Sequence, residues 1–220
     1  MSSGCRVALL LLCGTTWGCA ATSGPPRGPE YTPVATPDAQ TRCGAEQTQA
    51  KLAREQLLTA ENLPEEGGNP VSAREAAAKA TLAQGECEAR LVLSRPIQGA
   101  RAELYLADLT AARDQLAIAR NLYEESARYG MPPWNVAAMA RLGEVLAAFA
   151  TAAEKGRPND ISADDLAAPI EAVRGDARIA FEHAVRLGRG APPGSEIATE
   201  RDRACTGLRA LLPGARCDAP

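Results

Sequence analysis

The chain has a single histidine in 220 residues. A multi-histidine metal site is therefore excluded. Aromatic residues make up 4% of the sequence, so large rings cannot supply most of a core. Valine and isoleucine together number 14, too few β-branched residues for a large sheet. The net charge is −3, which leaves no electrostatic footprint for nucleic acid. No P-loop is present, no Gly-x-Gly-x-x-Gly follows a strand-like run, and no Cys-x-x-Cys occurs. Beyond the first residues, no segment reads as apolar enough to cross a membrane.

What is abundant points one way. The sequence holds 45 alanines and 23 leucines, and 21 of its basic residues are arginine against three lysines. Ala, Leu, Arg and Glu are strong helix formers. The expected fold class is all-α, antiparallel helix hairpins in an irregular array or bundle of about six helices.

Residues 1–18 read as a signal peptide. Arg6 is the only charge ahead of a short apolar run, Val7 to Leu12. That run is too short for a membrane-spanning helix and suits a secretory leader. Thr16-Trp17-Gly18-Cys19 resembles a bacterial lipobox, although Thr16 replaces the usual aliphatic residue. The resemblance makes Cys19 the lipidation site, with multiple acyl chains giving stable anchoring. Cleavage after Ala21 is the alternative. Ala20, rather than Asp, follows the cysteine. By resemblance to the sorting rule of enteric lipoproteins, that implies the outer membrane, facing the periplasm; a soluble periplasmic or secreted protein is the alternative. Residues 19–42 contain Pro25, Pro26, Pro29, Pro33 and Pro37 among small polar residues. Such a tether is expected to stay extended or disordered, with a reach on the order of 70 Å at about 3.1 Å per residue when extended.

Four cysteines remain for the domain at 43–220, namely Cys43, Cys87, Cys205 and Cys217. An even number in an exported chain implies disulfides. Cys43 and Cys87 lie 24 and 20 residues to either side of Gly67. Antiparallel helices would bring them within about one turn of each other. Pro213-Gly214 can fold Cys217 back onto Cys205.

The body divides into six helical stretches. The first spans 44–62, with Leu52, Leu57 and Leu58. The second starts at Ser72, where Ser72 and Glu75 form a capping box, and runs to Ser94 with Leu82, Leu91 and Leu93. The third, 97–129, carries a stripe of Tyr105, Leu109, Ala112, Leu116, Ala119, Tyr123 and Ser126, widened by Ile118 and Leu122. Gly130 ends it. The fourth has Pro132 or Pro133 in its first turn and the stripe Trp134, Ala138, Leu142, Val145, Phe149 and Ala152. Asn159 to Asp165 is a polar connection, with Ser162 and Asp165 able to cap an extra turn. The fifth spans 169–188 and places Ile170, Val173, Ala177, Phe181, Ala184 and Leu187 inside. The last runs from Ser195 to Leu212.

Ala119-Tyr123-Ser126 and Ala177-Phe181-Ala184 each place a small residue, an aromatic four later and a small residue three after that. This pattern resembles the second helix of tetratricopeptide-like repeats. Leu106-Ala107 stands where that family has Leu-Gly ahead of the first signature, and Leu142-Gly143 ahead of the second. No aromatic opens a first helix before Leu106. The signatures are 58 residues apart, against about 34 for one repeat. The stretch WNVAAMARLG, from Trp134 to Gly143, is similar to exported repeat lipoproteins of GC-rich Gram-negative bacteria, and the arginine surplus suits such a genome. The resemblance covers residues 100–190 and implies a partner-binding helical array.

Little in the chain suggests catalysis. His183 stands beside Glu182 without a nucleophile motif and reads as a surface histidine. The doublets Glu65-Glu66, Glu124-Glu125 and Asp164-Asp165 suit solvated loops and helix starts, as Arg201-Asp202-Arg203 suits a solvated face; paired carboxylates are the alternative. Tyr105 and Tyr123 fall on a core stripe, and an anchoring role is the other possibility. Trp134, at a helix junction with Met131 and two prolines, is the candidate partner-binding residue; packing on a neighbouring helix is its plainer role. The expectation is a non-enzymatic scaffold for envelope proteins of unknown identity, without cofactor or metal. The alternatives are a small periplasmic enzyme or ligand-binding helical domain, and a purely structural envelope protein.

Overall fold

A computed structural model describes residues 43–62, 68–99 and 101–217. The leader, Cys19 and the tether lie outside the described residues, as does Glu65-Glu66. The described chain is all-α, with α1 (Gly44–Asn62), α2 (Pro70–Ser94), α3 (Ala102–Arg128), α4 (Trp134–Lys155), α5 (Ala163–Leu187) and α6 (Glu196–Leu211).

Four helix starts differ from the sequence expectation; in α4, Pro133 is the cap ahead of Trp134 rather than a residue of the first turn. Asn69, not Ser72, caps α2: its Oδ1 accepts from Val71 N at 2.9 Å, and Pro70 occupies the first turn. An asparagine cap followed by a φ-fixed proline outcompetes the Ser-Glu box two residues inside. The start of α3 is at Ala102 rather than 97. Its N–H is capped from another loop, by Asp160 Oδ2 at 2.9 Å. The expected extra turn at Ser162 is the beginning of α5, whose cap is Ser162 Oγ accepting from Asp164 N at 3.2 Å. Asp164 and Asp165 fall in that first turn, and Pro169 lies inside the helix. Gly130, at φ +67°, ends α3 in the left-handed conformation.

Consecutive helices pack antiparallel, and α4 also packs on both α2 and α6. Between α2 and α4 the pairs Glu75–Trp134 and Glu86–Arg141 rise together in number, as do Arg141–Glu200 and Glu144–Arg203 between α4 and α6. So α2, α4 and α6 run parallel in one layer. The other layer, α1, α3 and α5, is bridged by arginine–carboxylate pairs, Arg54 to Glu125 at 2.6 Å and Arg120 to Asp176 at 2.7 Å. Each member of Glu124-Glu125 is thus engaged, Glu124 with Arg120 and Glu125 with Arg54.

Alanine dominates the buried positions, and small side chains let helix axes approach closely. Tyr105 and Tyr123 are fully buried core residues. Tyr105 Oη donates to Ala153 O at 2.6 Å and Ser126 Oγ to Ala78 O at 2.9 Å, so the buried hydroxyls hold backbone carbonyls of neighbouring helices. Several larger apolar residues point outward instead: Leu52, Leu58, Leu93, Ile118 and Leu187 are exposed. The stripes are narrower than the sequence implied, because alanines fill the close approaches.

The helix α4 is long and apolar enough to cross a membrane by length and composition, contrary to the sequence expectation that no such segment exists. Most of its surface is buried against four other helices. That central position explains its apolar character.

Cys43 pairs with Cys87 and Cys205 with Cys217, each with Cα–Cα 5.8 Å. The first bridge closes the α1–α2 hairpin. The second folds the C-terminal segment onto α6.

Candidate functional site

Along one face of α4, Trp134, Ala137, Arg141, Glu144, Ala148, Ala152 and Lys155 follow at spacings of three and four. That spacing puts them on one stripe. Three hollows open along it. The first, about 310 Å³, lies between Trp134 and the start of α6, where Glu196, Thr199 and Glu200 line it. The second, about 390 Å³, lies between α4 and α2 and is floored by Tyr123, Val145 and Ala89. The third, about 890 Å³, lies at the end of α4 against the α2–α3 loop.

Trp134 is half-buried against this surface. Its Nε1 donates to Glu75 Oε1 at 3.4 Å, and Lys79 Nζ sits 5.5 Å from the ring centroid. A cation over an indole face is attracted by the ring quadrupole. The ring is thus positioned by α2, while its side toward α6 lines the hollow.

Arg141 occupies the middle of the stripe. Its guanidinium reaches Glu86 on α2 at 3.2 Å, Glu144 on α4 at 3.3 Å and Glu200 on α6 at 3.2 Å. Arg203 adds contacts to Glu200 at 3.4 Å and Glu144 at 3.7 Å. Arg203 therefore belongs to a network joining α4 and α6 rather than to a merely solvated face. Arg201 pairs with Asp202 at 2.7 Å. Burial pushes Glu144 and Glu200 above the usual carboxylate range, against the pull of Arg141. Burial also raises the Tyr123 phenol, with Glu86 adding to it. The network is held near the surface and stays part-hydrated, with Arg141 21% exposed.

His183 is half-buried on α5, and desolvation together with Arg186 lowers its pKa. It lies away from all three hollows. Among the described residues, no group of three or more His, Cys, Asp or Glu side chains is arranged to hold a metal ion.

The Arg141 network and the hollows were not foreseen from sequence. Glu86, Arg141, Glu144 and Glu200 are far apart in the chain and meet only because α2, α4 and α6 run parallel. The available signal is the three-four spacing of Ala137, Arg141, Glu144, Ala148 and Lys155, a file beside the apolar stripe Trp134, Ala138, Leu142, Val145 and Phe149 that marks the core. No family profile matches this chain, and no curated protein or solved structure shows detectable similarity to it.

Proposed function

We propose that this chain is an exported, membrane-tethered helical scaffold that binds partner proteins in the cell envelope. Its binding surface is the α2–α4–α6 face, and its role is recognition rather than catalysis. The observation that carries the reading is the Trp134 hollow: an aromatic ring, held by Glu75 and Lys79, forms one wall of a recess in a file of hollows. Tryptophan beside a recess is the residue type that most often anchors a partner. The tether is carried by the lipobox-like Cys19, with an outer-membrane destination implied by Ala20.

The tetratricopeptide-like reading is part of this proposal. It is supported by two helical hairpins in which a glycine of the first helix faces an aromatic of the second. Gly85 faces Tyr123 and Gly143 faces Phe181, and each residue stands 58 positions from its counterpart. The first hairpin's glycine is thus Gly85 on α2. Leu106-Ala107, the expected counterpart, lies on the same helix as Tyr123.

The test is affinity purification of the tagged chain from envelope extracts in mild detergent, alongside Trp134→Ala. A specific co-purifying protein that Trp134→Ala loses, at unchanged helicity, supports the reading. Recovery of none, or equal recovery with both proteins, refutes it. Radiolabelled palmitate tests the tether; incorporation that survives Cys19→Ala rejects lipidation there.

A further inference from the structure

The three hollows along α4 differ in charge in a regular order. The hollow at Trp134 is lined by the carboxylates Glu196 and Glu200; Glu200 is already paired with Arg141 and Arg203, so Glu196 is the carboxylate there that stands outside the network. The middle hollow is balanced, Glu86 and Glu144 against Arg90 and Arg141. The cleft at the far end is lined by Arg95, Lys155 and Arg157 and by no carboxylate. Arg95 spends one bond on Asp108 at 3.4 Å, and Arg157 spends one on the Ile161 carbonyl. Most of their guanidinium donors are left over.

The gradient has a topological cause. Acidic residues suit helix N-termini and basic residues suit C-termini. In an antiparallel pair these preferences cancel at each end. Here α2, α4 and α6 run parallel, so the contributions that exist do not cancel: Glu196 stands in the first turn of α6, Lys155 in the last turn of α4 and Arg95 just past the end of α2, while the first turns of α2 and α4 carry no carboxylate. A helix end carries only about half a charge of opposite sign, so the full side-chain charges set the local field.

We propose that this face binds one linear segment of a partner protein in a fixed direction. A cationic side chain of that segment enters the Trp134 hollow, and a carboxylate-bearing stretch lies in the Lys155 cleft. This rests on the scaffold reading and adds the chemistry and polarity of the partner. From Trp134 to Lys155 the stripe rises about 30 Å at 1.5 Å per residue. An extended segment of about ten residues covers that distance. Charges at the rim set orientation and partner choice more than raw affinity, and the apolar floor of Tyr123, Val145 and Ala89 supplies the contact between them.

The test pans a displayed library of random 16-residue peptides on the full chain in mild detergent. Enriched peptides are expected to carry Lys or Arg toward one end and Asp or Glu toward the other. Lys155→Glu and Glu196→Lys, which leave the Arg141 network intact, should each weaken a selected peptide about tenfold. The double reversal should favour the peptide with its charges exchanged end for end. The proposal is overturned by enriched peptides without charge polarity, by enrichment unaffected by either reversal, or by no enrichment. Peptides that match the chain's own sequence also overturn it, because they assign the face to a second copy. The scaffold reading stands or falls separately, on the co-purification with Trp134→Ala.

Discussion

Gly143 lies against the ring of Phe181, so close that a Cβ on the glycine would fall 2.5 Å from Phe181 Cδ1. Gly207 crowds the same ring from α6. The ring is therefore clamped between two helices and cannot swing aside. By contrast, a Cβ at Gly85 would meet the Tyr123 ring at 3.3 Å, where a few tenths of an ångström suffice. Gly143→Ala should lose about 1–3 kcal/mol through overpacking. Gly85→Ala should be close to neutral, since alanine's gain in helix propensity of about 1 kcal/mol offsets the tighter fit. Urea denaturation compares the two directly, and equal losses would contradict the clamp.

The two disulfides close loops of different length, with sequence separations of 44 and 12. The longer loop restricts the unfolded chain more. Replacing Cys43 and Cys87 by serine should cost about 1 kcal/mol more than the same change at Cys205 and Cys217, each costing about 2–4 kcal/mol. Hydrogen exchange should show the first loss concentrated in α1. That helix otherwise rests on a small cluster of Ala53, Leu57 and Ala77 and on the Arg54–Glu125 pair.

Tyr105→Phe should cost about 1–2 kcal/mol. The hydroxyl is fully buried, and its removal leaves the Ala153 carbonyl, near the end of α4, without that donor. A thermal melt beside Tyr105→Leu separates the lost bond from lost ring volume, since the leucine variant must fall further.

Glu144 and Glu200 protonate at higher pH in the folded chain than their ordinary value of 4.5. The folded state thus binds more protons above that pH. Their contribution to stability is fully present below 4.5 and is lost as pH rises through the folded titration. At neutral pH both are ionised at a desolvation cost. Glu200→Gln, which keeps Arg141 its partners Glu86 and Glu144, should hold or raise Tm at pH 7 and flatten the decline of stability above pH 4.5. An unchanged pH profile would remove Glu200 from this role.

The parts of the fold that were legible in the sequence are those governed by local chemistry. The disulfide partners followed from residue counts around Gly67, and Gly130 marked the end of α3 because only its left-handed backbone suits that stop. Tyr123 and Phe181 were legible as core through their spacing. Errors arose where a distant group decided the matter. Asp160 caps α3 across 58 residues, so nothing near residue 97 marks where that helix begins. Arg203 looks solvated within Arg201-Asp202-Arg203 until Glu144 is brought beside it. Trp134 was found from its setting, yet the hollow beside it depends on α6, which the junction sequence does not describe.

The Cys43–Cys87 bridge also determines how the domain bears load. Tension arriving along the backbone ahead of Cys43 passes through the sulfurs to Cys87 and on into the second half of α2. Residues 44–86, including all of α1, form a covalent side loop that carries none of it. The first helix can then unravel and re-form without lengthening the chain under tension. Reduction of the bridge returns those residues to the loaded path.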